Sequence, residues 1–232
     1  MNHQTRQLKG VPAARPLAIA HRAANDLHRL RAAESLGADY LECDVWLYQD
    51  RMEVRHEKTI GRLPIRWDRW SLEWRGPPRL VLEQLVAAWR GPGALLLDLK
   101  GRDERLPGRV LQAVGDAAGE VPFGVTARTW RLLEPFAEMP GVATFPSAGG
   151  ARNIDALLRL GRRDHWTGIA IHRKLLSAAV VEQLHELAPL VTTWPVNDIE
   201  TYESVMGYGV DGVTSDSLDV LAHVLSERAE AT

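Results

Sequence analysis

A single cysteine in 232 residues excludes an internal disulfide, and the apolar neighbours of Cys43 mark a buried structural thiol rather than a nucleophile. The redox compartment is left open, with the cytoplasm as the expected location. The first twenty residues carry Arg6, Lys9 and Arg15 but no apolar stretch of signal-peptide length, and Leu17 to Ala20 is too short to span a membrane. Charge of one sign is also scarce: 28 Lys and Arg stand against 30 Asp and Glu, a net charge of -2. Counterion-driven binding to nucleic acid or a membrane surface needs a dense basic stripe, so neither a nucleic-acid partner nor stable membrane association is expected. Missing too are a zinc-type His-x-His on a first strand, Cys-x-x-Cys, Gly-x-Ser-x-Gly and a Walker glycine loop, which sets those chemistries aside.

What is present is alternation. Short apolar runs separated by helical patterns continue from Leu17 to the C-terminus, as repeated β-α units around a parallel sheet require. Eight strands are expected, at 17–21, 40–46, 94–100, 123–126, 142–145, 168–172, 190–194 and 212–215, with an extension at 52–56. Leu82, Leu85, Val86 and Trp89 recur at helical spacing, as do Leu218, Leu221, Ala222 and Leu225, so both sets read as outer helices. Gly37 fits the stop of the first helix, while Asp198 and Asp216 are candidate starts for the last two. The chain therefore reads as a loose arm over 1–15 and one TIM (β/α)8 barrel over 16–232, a size at which such barrels form one unit. Lys58 to Leu80, with Pro64, Pro77 and Pro78, is too irregular for a barrel connection and is expected as an insertion over one end. It carries Trp67, Trp70 and Trp74, either as hydrophobic filler or as the wall of a pocket.

Function has to come from the strand ends. In Leu41-Glu42-Cys43-Asp44-Val45, strand alternation puts Glu42 and Asp44 on one face and the apolar residues on the other. Inside a barrel an unpaired acidic pair is costly, so it needs either a bound cation or a basic side chain. Oxygen ligands of this kind suit one hard divalent ion, Mg2+ or Ca2+. The third strand sets Asp98 and Lys100 on a common face, which reads either as a further metal carboxylate beside a phosphate-binding ammonium or as a mutual ion pair. His21 closes the first strand and His56 the extension after the second. Each alone is better explained structurally, but together with three carboxylates they form a candidate acid/base pair for phosphodiester cleavage. His172, at the end of the sixth strand, is a candidate substrate contact.

These residues resemble the glycerophosphodiester phosphodiesterase family. The likeness lies in His21-Arg22, Gly37-Ala38-Asp39, Glu42-Cys43-Asp44-Val45 and His56-Glu57, then Asp98-Leu99-Lys100, Trp194-Pro195-Val196-Asn197 and Gly209-Val210-Asp211-Gly212-Val213. The resemblance implies a TIM barrel that hydrolyses small glycerophosphodiesters to glycerol 3-phosphate and an alcohol through a cyclic phosphate. It implies His21 and His56 as the acid/base pair and Glu42, Asp44 and Asp98 as ligands of Mg2+ or Ca2+. Arg22 and Lys100 would lie near the phosphate, with Trp194 a further substrate contact. The chain departs from the family pattern at Ala23 and Ala24, where one usual acid is absent, at Glu57, at the shorter Asp98, and at Leu218. These changes bear on substrate choice, and they keep two alternatives open: lysophospholipase D-type cleavage of a head group, and a barrel that binds a phosphate ester without turnover.

Overall fold

The computed structural model describes residues 15–59, 65–68, 71–74, 80–116 and 121–230. Most of the expected arm, together with Pro64, Trp70, Pro77 and Pro78, lies outside them. Twelve strands are β1 (Leu17–Ala20), β2 (Tyr40–Tyr48), β3 (Arg51–Val54), β4 (Lys58–Thr59), β5 (Ile65–Asp68), β6 (Ser71–Trp74), β7 (Ala94–Leu99), β8 (Phe123–Ala127), β9 (Ala143–Ala148), β10 (Gly168–His172), β11 (Leu190–Trp194) and β12 (Gly212–Ser215). Eight of them run parallel in the order β1-β2-β7-β8-β9-β10-β11-β12, and β1 pairs with both β2 and β12, which closes the TIM barrel. The outer layer is α1 (Leu27–Leu36), α2 (Leu82–Ala88), α3 (Leu106–Asp116), α4 (Ala151–Leu160), α5 (Ala178–Leu187), α6 (Ile199–Met206) and α7 (Leu218–Glu230). After β8 the outer element is instead a 3-10 segment, Trp130–Phe136, containing Pro135, whose missing N–H disfavours an α-helix interior there.

Strand alternation separates two cores. Leu41, Cys43, Val45, Leu95, Leu97, Ile169 and Val191 face the helices in the larger one, while Leu17, Ile19, Tyr40, Leu96, Phe145 and Leu190 fill the barrel's interior. Large and small residues interlock in that inner layer, as close packing demands. A methyl group at Gly168 would come within 2.7 Å of the Phe145 ring, and one at Gly212 within 2.6 Å of Leu17 Cβ. Tyr40 meets Phe145 edge to face at 6.2 Å. Along each strand the inward positions then turn polar toward the C-terminal end: Tyr40, Glu42, Asp44 on β2, and Ala94, Leu96, Asp98 on β7. The barrel is thus floored with hydrocarbon and opens onto polar groups.

The opposite end is tied structurally. Asp39 accepts from the Ala18 amide (2.8 Å) and from Arg228 on α7 (2.7 Å), and Asp211 accepts from the Val191 amide (2.8 Å). Gly37 ends α1 at φ 84°, a left-handed conformation in which a side chain would be strained. Cys43 is buried against the helices, and burial pushes its thiol well above the ordinary range. We expect it to resist thiol reagents in native conditions and to react stoichiometrically in denaturant, a difference that an Ellman titration reads directly.

Beyond shifts of one or two residues at the ends of other strands, two details differ from the sequence reading. β9 runs on through Pro146 to Ala148, because a proline in register with Ala127 gives up only its own donor. The insertion after β2 is more ordered than its composition suggests, since β4, β5 and β6 form an antiparallel three-stranded sheet. Its register pairs Trp67 with Leu72 and Ile65 with Trp74 on one face, with Arg66 on the other. Trp67 and Trp74 are exposed, so neither is core filler.

Candidate active site

Register brings the carboxylates together. Asp44 on β2 is directly opposite Asp98 on β7, and Glu42 lies one inward step below Asp44. One oxygen from each of Glu42, Asp44 and Asp98 falls within 4.8 Å of the others. All three are enclosed, and the cost shows in their protonation. Burial, with Asp44 beside it, pushes Glu42 up to about 7, and burial likewise raises Asp98. Burial also works on Asp44, but the Lys100 ammonium 2.6 Å from its Oδ1 and the Asn25 amide outweigh it and hold the carboxyl below its usual range. Lys100 bridges Asp44 and Asp98, and the two acids raise its own pKa against the effect of burial.

Neighbouring backbone and side chains complete this floor. Arg22, immediately after His21, adopts a left-handed φ of 51°, and its amide donates to Glu42 Oε2 at 2.6 Å. Its Nε stands 3.8 Å from Asp44 Oδ2. Asn25 exchanges two bonds with Asp44: its Nδ2 donates to Oδ2 (2.7 Å), and the Asp44 amide donates back to its Oδ1 (2.8 Å). Ala24, where the family pattern carries an acid, is fully buried.

These residues fit a hard divalent cation. Asp98 Oδ1 is buried and has no hydrogen-bond partner among the described residues, where the three carboxylates meet two cationic side chains, Lys100 and the more distant Arg22. Oxygen-only donors of this number leave coordination positions for water and substrate oxygens, as Mg2+ and Ca2+ require.

Both candidate histidines flank the floor. His21 Nδ1 lies 3.0 Å from Asp216 Oδ2, just past the end of β12. Burial would lower the imidazole's pKa, but Asp216 and Glu42 together raise it. Asp216 is held down to about 2, because His21, Asn197 and Arg22 overcome the opposing effect of its partial burial. This pairing stabilises the fold in a window. Asp216's share is present above the ordinary carboxylate range near pH 4 and is lost as pH falls through about 2; His21's share is present below about 6.5 and is lost as pH rises through its raised value. Asp216→Asn removes the larger favourable partner, so the His21 titration followed by NMR should shift to lower pH. An unmoved midpoint would mean that Asp216 does not govern the ring.

His56 Nδ1 is 3.2 Å from Asp68 Oδ2 at the end of β5, so the small sheet reaches over to the second histidine. Its charge also acts on Asp44. Farther round the mouth, the His172 ring meets Trp194 edge to face at 4.7 Å, and the Lys174 amide donates to His172 Nδ1 (3.2 Å). Arg128 lies over the Trp194 ring at 5.0 Å and acts electrostatically on Asp98.

All nine residues singled out in the sequence, His21, Arg22, Glu42, Asp44, His56, Asp98, Lys100, His172 and Trp194, therefore stand at the C-terminal mouth of the barrel, the face where barrel active sites assemble. Sequence reasoning missed Asn25, Asp68, Arg128 and Asp216. Arg128 had a signal: it continues the inward parity of Gly124 and Thr126 beyond β8. Asp216 was a candidate helix start, but Ser217 Oγ takes that place by accepting from the Val220 amide (3.4 Å), and the Asp216 carboxylate turns to His21.

No family model matches the chain, and no curated protein does. Solved structures do. A glycerophosphodiester phosphodiesterase from Parabacteroides distasonis superposes with a TM-score of 0.71 at 20% identity, over 94% of this chain and 100% of that one. A phosphodiesterase from Oleispira antarctica, in complex with the product sn-glycerol-3-phosphate, gives 0.67 at 18% identity over 91% and 97%. A glycerophosphodiester phosphodiesterase from Thermotoga maritima gives 0.65 at 16% over 88% and 96%. The chain thus has the closed (β/α)8 fold of solved glycerophosphodiester phosphodiesterases, along nearly its whole length and nearly all of theirs.

Proposed function

We propose that this protein is a metal-dependent phosphodiesterase that hydrolyses small glycerophosphodiesters to glycerol 3-phosphate and an alcohol. The observation that carries the reading is the cluster of Glu42, Asp44 and Asp98 between two histidines, at the open end of a barrel shared with phosphodiesterases. A barrel that only binds a phosphate ester has no use for a paired acid and base beside three carboxylates.

Glu42, Asp44 and Asp98 would hold one Mg2+ or Ca2+ ion. When bound, that ion supplies positive charge for the phosphate oxygens as charge builds on them. The chain's own groups do the rest. Lys100 and Arg22 lie beside the carboxylates and would neutralise and orient the remaining phosphate oxygens. His21, held by Asp216, takes the proton from the glycerol hydroxyl next to the phosphate, and that oxygen attacks phosphorus. The bond from phosphorus to the departing alcohol breaks as His56, held by Asp68, donates a proton to the leaving oxygen. A cyclic phosphate remains, and water opens it to glycerol 3-phosphate with the two histidines in exchanged roles. His172 and Trp194, on neighbouring strands, form a wall for the organic part of the substrate.

The test is a panel of glycerophosphodiesters incubated with the stripped protein and each metal in turn, with glycerol phosphate as the detected product. Product formation that needs Mg2+ or Ca2+ but not zinc supports the reading. Ligand binding with no product at any metal concentration would favour the non-catalytic alternative.

A further inference from the structure

The three-stranded sheet has two unlike faces. Its inner face is polar and seated on the barrel: Arg66 is buried, Asp68 touches His56, and Thr59 accepts from the buried Arg55 at 2.8 Å. Its outer face carries Ile65, Trp67, Leu72 and Trp74 in cross-strand register, with Lys58 paired to Trp67. Leu72 is 69% exposed, Trp74 81% and Trp67 42%, and the Lys58 ammonium sits 5.7 Å from the Trp67 ring centroid. A row of large side chains in water is a cost that a soluble surface normally avoids. The sequence segment that carries the sheet is basic. From Lys58 to Leu80 the sequence holds six Lys and Arg against two Asp and Glu, in a chain whose net charge is -2. The whole-chain balance therefore hides a local basic, tryptophan-rich segment beside the mouth.

We propose that this outer face docks reversibly on an anionic lipid surface. Tryptophan and leucine enter the boundary between headgroups and acyl chains, where an aromatic ring with one polar edge is best accommodated, while Lys58 beside Trp67 meets the lipid phosphates. No described helix is long and apolar enough to cross a membrane, and the attachment is peripheral. Because the sheet's other face holds His56 through Asp68, docking sets the barrel mouth at the lipid boundary. A phosphodiester whose alcohol carries an acyl chain could then enter from the lipid rather than from water. The docking itself does not depend on the phosphodiesterase reading.

The experiment is vesicle co-sedimentation of the whole protein at low salt, with phosphatidylglycerol/phosphatidylcholine vesicles against phosphatidylcholine alone. The wild type should partition onto the anionic vesicles and be released by salt, since screening beyond about 10 Å at 0.1 M removes the attraction. A double variant, Leu72→Ser with Trp74→Ser, should bind about tenfold more weakly or less still, because it loses the apolar area that enters the boundary. Its circular dichroism and its turnover of a water-soluble diester should be unchanged, which separates lost docking from lost folding or chemistry. No partition of the wild type onto anionic vesicles would overturn the proposal, as would equal binding by the double variant. A dimer that the double variant dissolves, without vesicle binding, would assign the face to a second copy of the chain instead.

Discussion

His21→Ala and His56→Ala should each lower turnover of a glycerophosphodiester by about two to four orders of magnitude, the usual loss when a general acid or base is removed, and both proteins should remain folded. Neither ring is part of a hydrophobic cluster. Without His21, Asp216 keeps Asn197, whose Nδ2 donates at 3.3 Å and whose Oδ1 accepts from the Asp216 amide at 2.9 Å. Without the half-exposed His56, Asp68 is left in partial contact with water. The two losses should be separable. An alcohol that is already a strong acid leaves without protonation, so such a substrate should rescue the variant lacking the leaving-group acid and leave the other impaired. With His56 as the acid, rescue belongs to His56→Ala; rescue of His21→Ala alone would reverse the roles. Near wild-type turnover of the natural-type diester by both variants would eliminate the two-histidine mechanism.

An equally large loss is expected from Asp44→Asn. This substitution keeps the shape of the side chain and its ability to bond Asn25, but it removes one of the carboxylate charges and one of the two carboxylate partners of Lys100. Turnover should fall by a similar factor. A second readout needs no activity: ligand binding to the folded state alone raises stability by mass action, by about 2.7 kcal/mol at a hundredfold excess over the dissociation constant. For a domain of this size that is a rise of several degrees, at roughly 2–4 °C for each kcal/mol. The melting temperature of the wild type should climb with added Mg2+ or Ca2+ and fall back with a chelator, while that of Asp44→Asn should stay flat. A wild-type melting temperature indifferent to every divalent ion would contradict the metal reading, whatever the variant does.

The barrel was legible in the sequence because its strands advertise a period of two. Leu41, Cys43 and Val45 against Glu42 and Asp44, or Leu95, Leu97 and Leu99 against Asp98, state both that a strand is present and which side faces inward. Three strands, Gly168–His172, Leu190–Trp194 and Gly212–Ser215, match residue for residue, each a short run carrying β-branched residues. The three-stranded sheet was illegible for the converse reason. Its strands are two to four residues long, too short to establish a period among arginines and prolines. The supports of the site were hidden by distance along the chain. Asp216 meets His21 only because β12 pairs with β1, and Asp68 meets His56 only because the small sheet folds back on the mouth. No local pattern encodes a contact made by closure.

The central claim, phosphodiester hydrolysis by a metal-loaded carboxylate cluster and two histidines, meets its most direct test in a phosphorus NMR time course with a soluble glycerophosphodiester. Diester, cyclic phosphate and glycerol phosphate give separate signals, so one spectrum series follows the whole proposed sequence. The account predicts that the diester signal gives way to glycerol 3-phosphate in the presence of Mg2+ or Ca2+, with cyclic phosphate as a transient, and that chelator stops the conversion. A diester signal that persists unchanged with every divalent metal, or full conversion by exhaustively stripped protein, would contradict it.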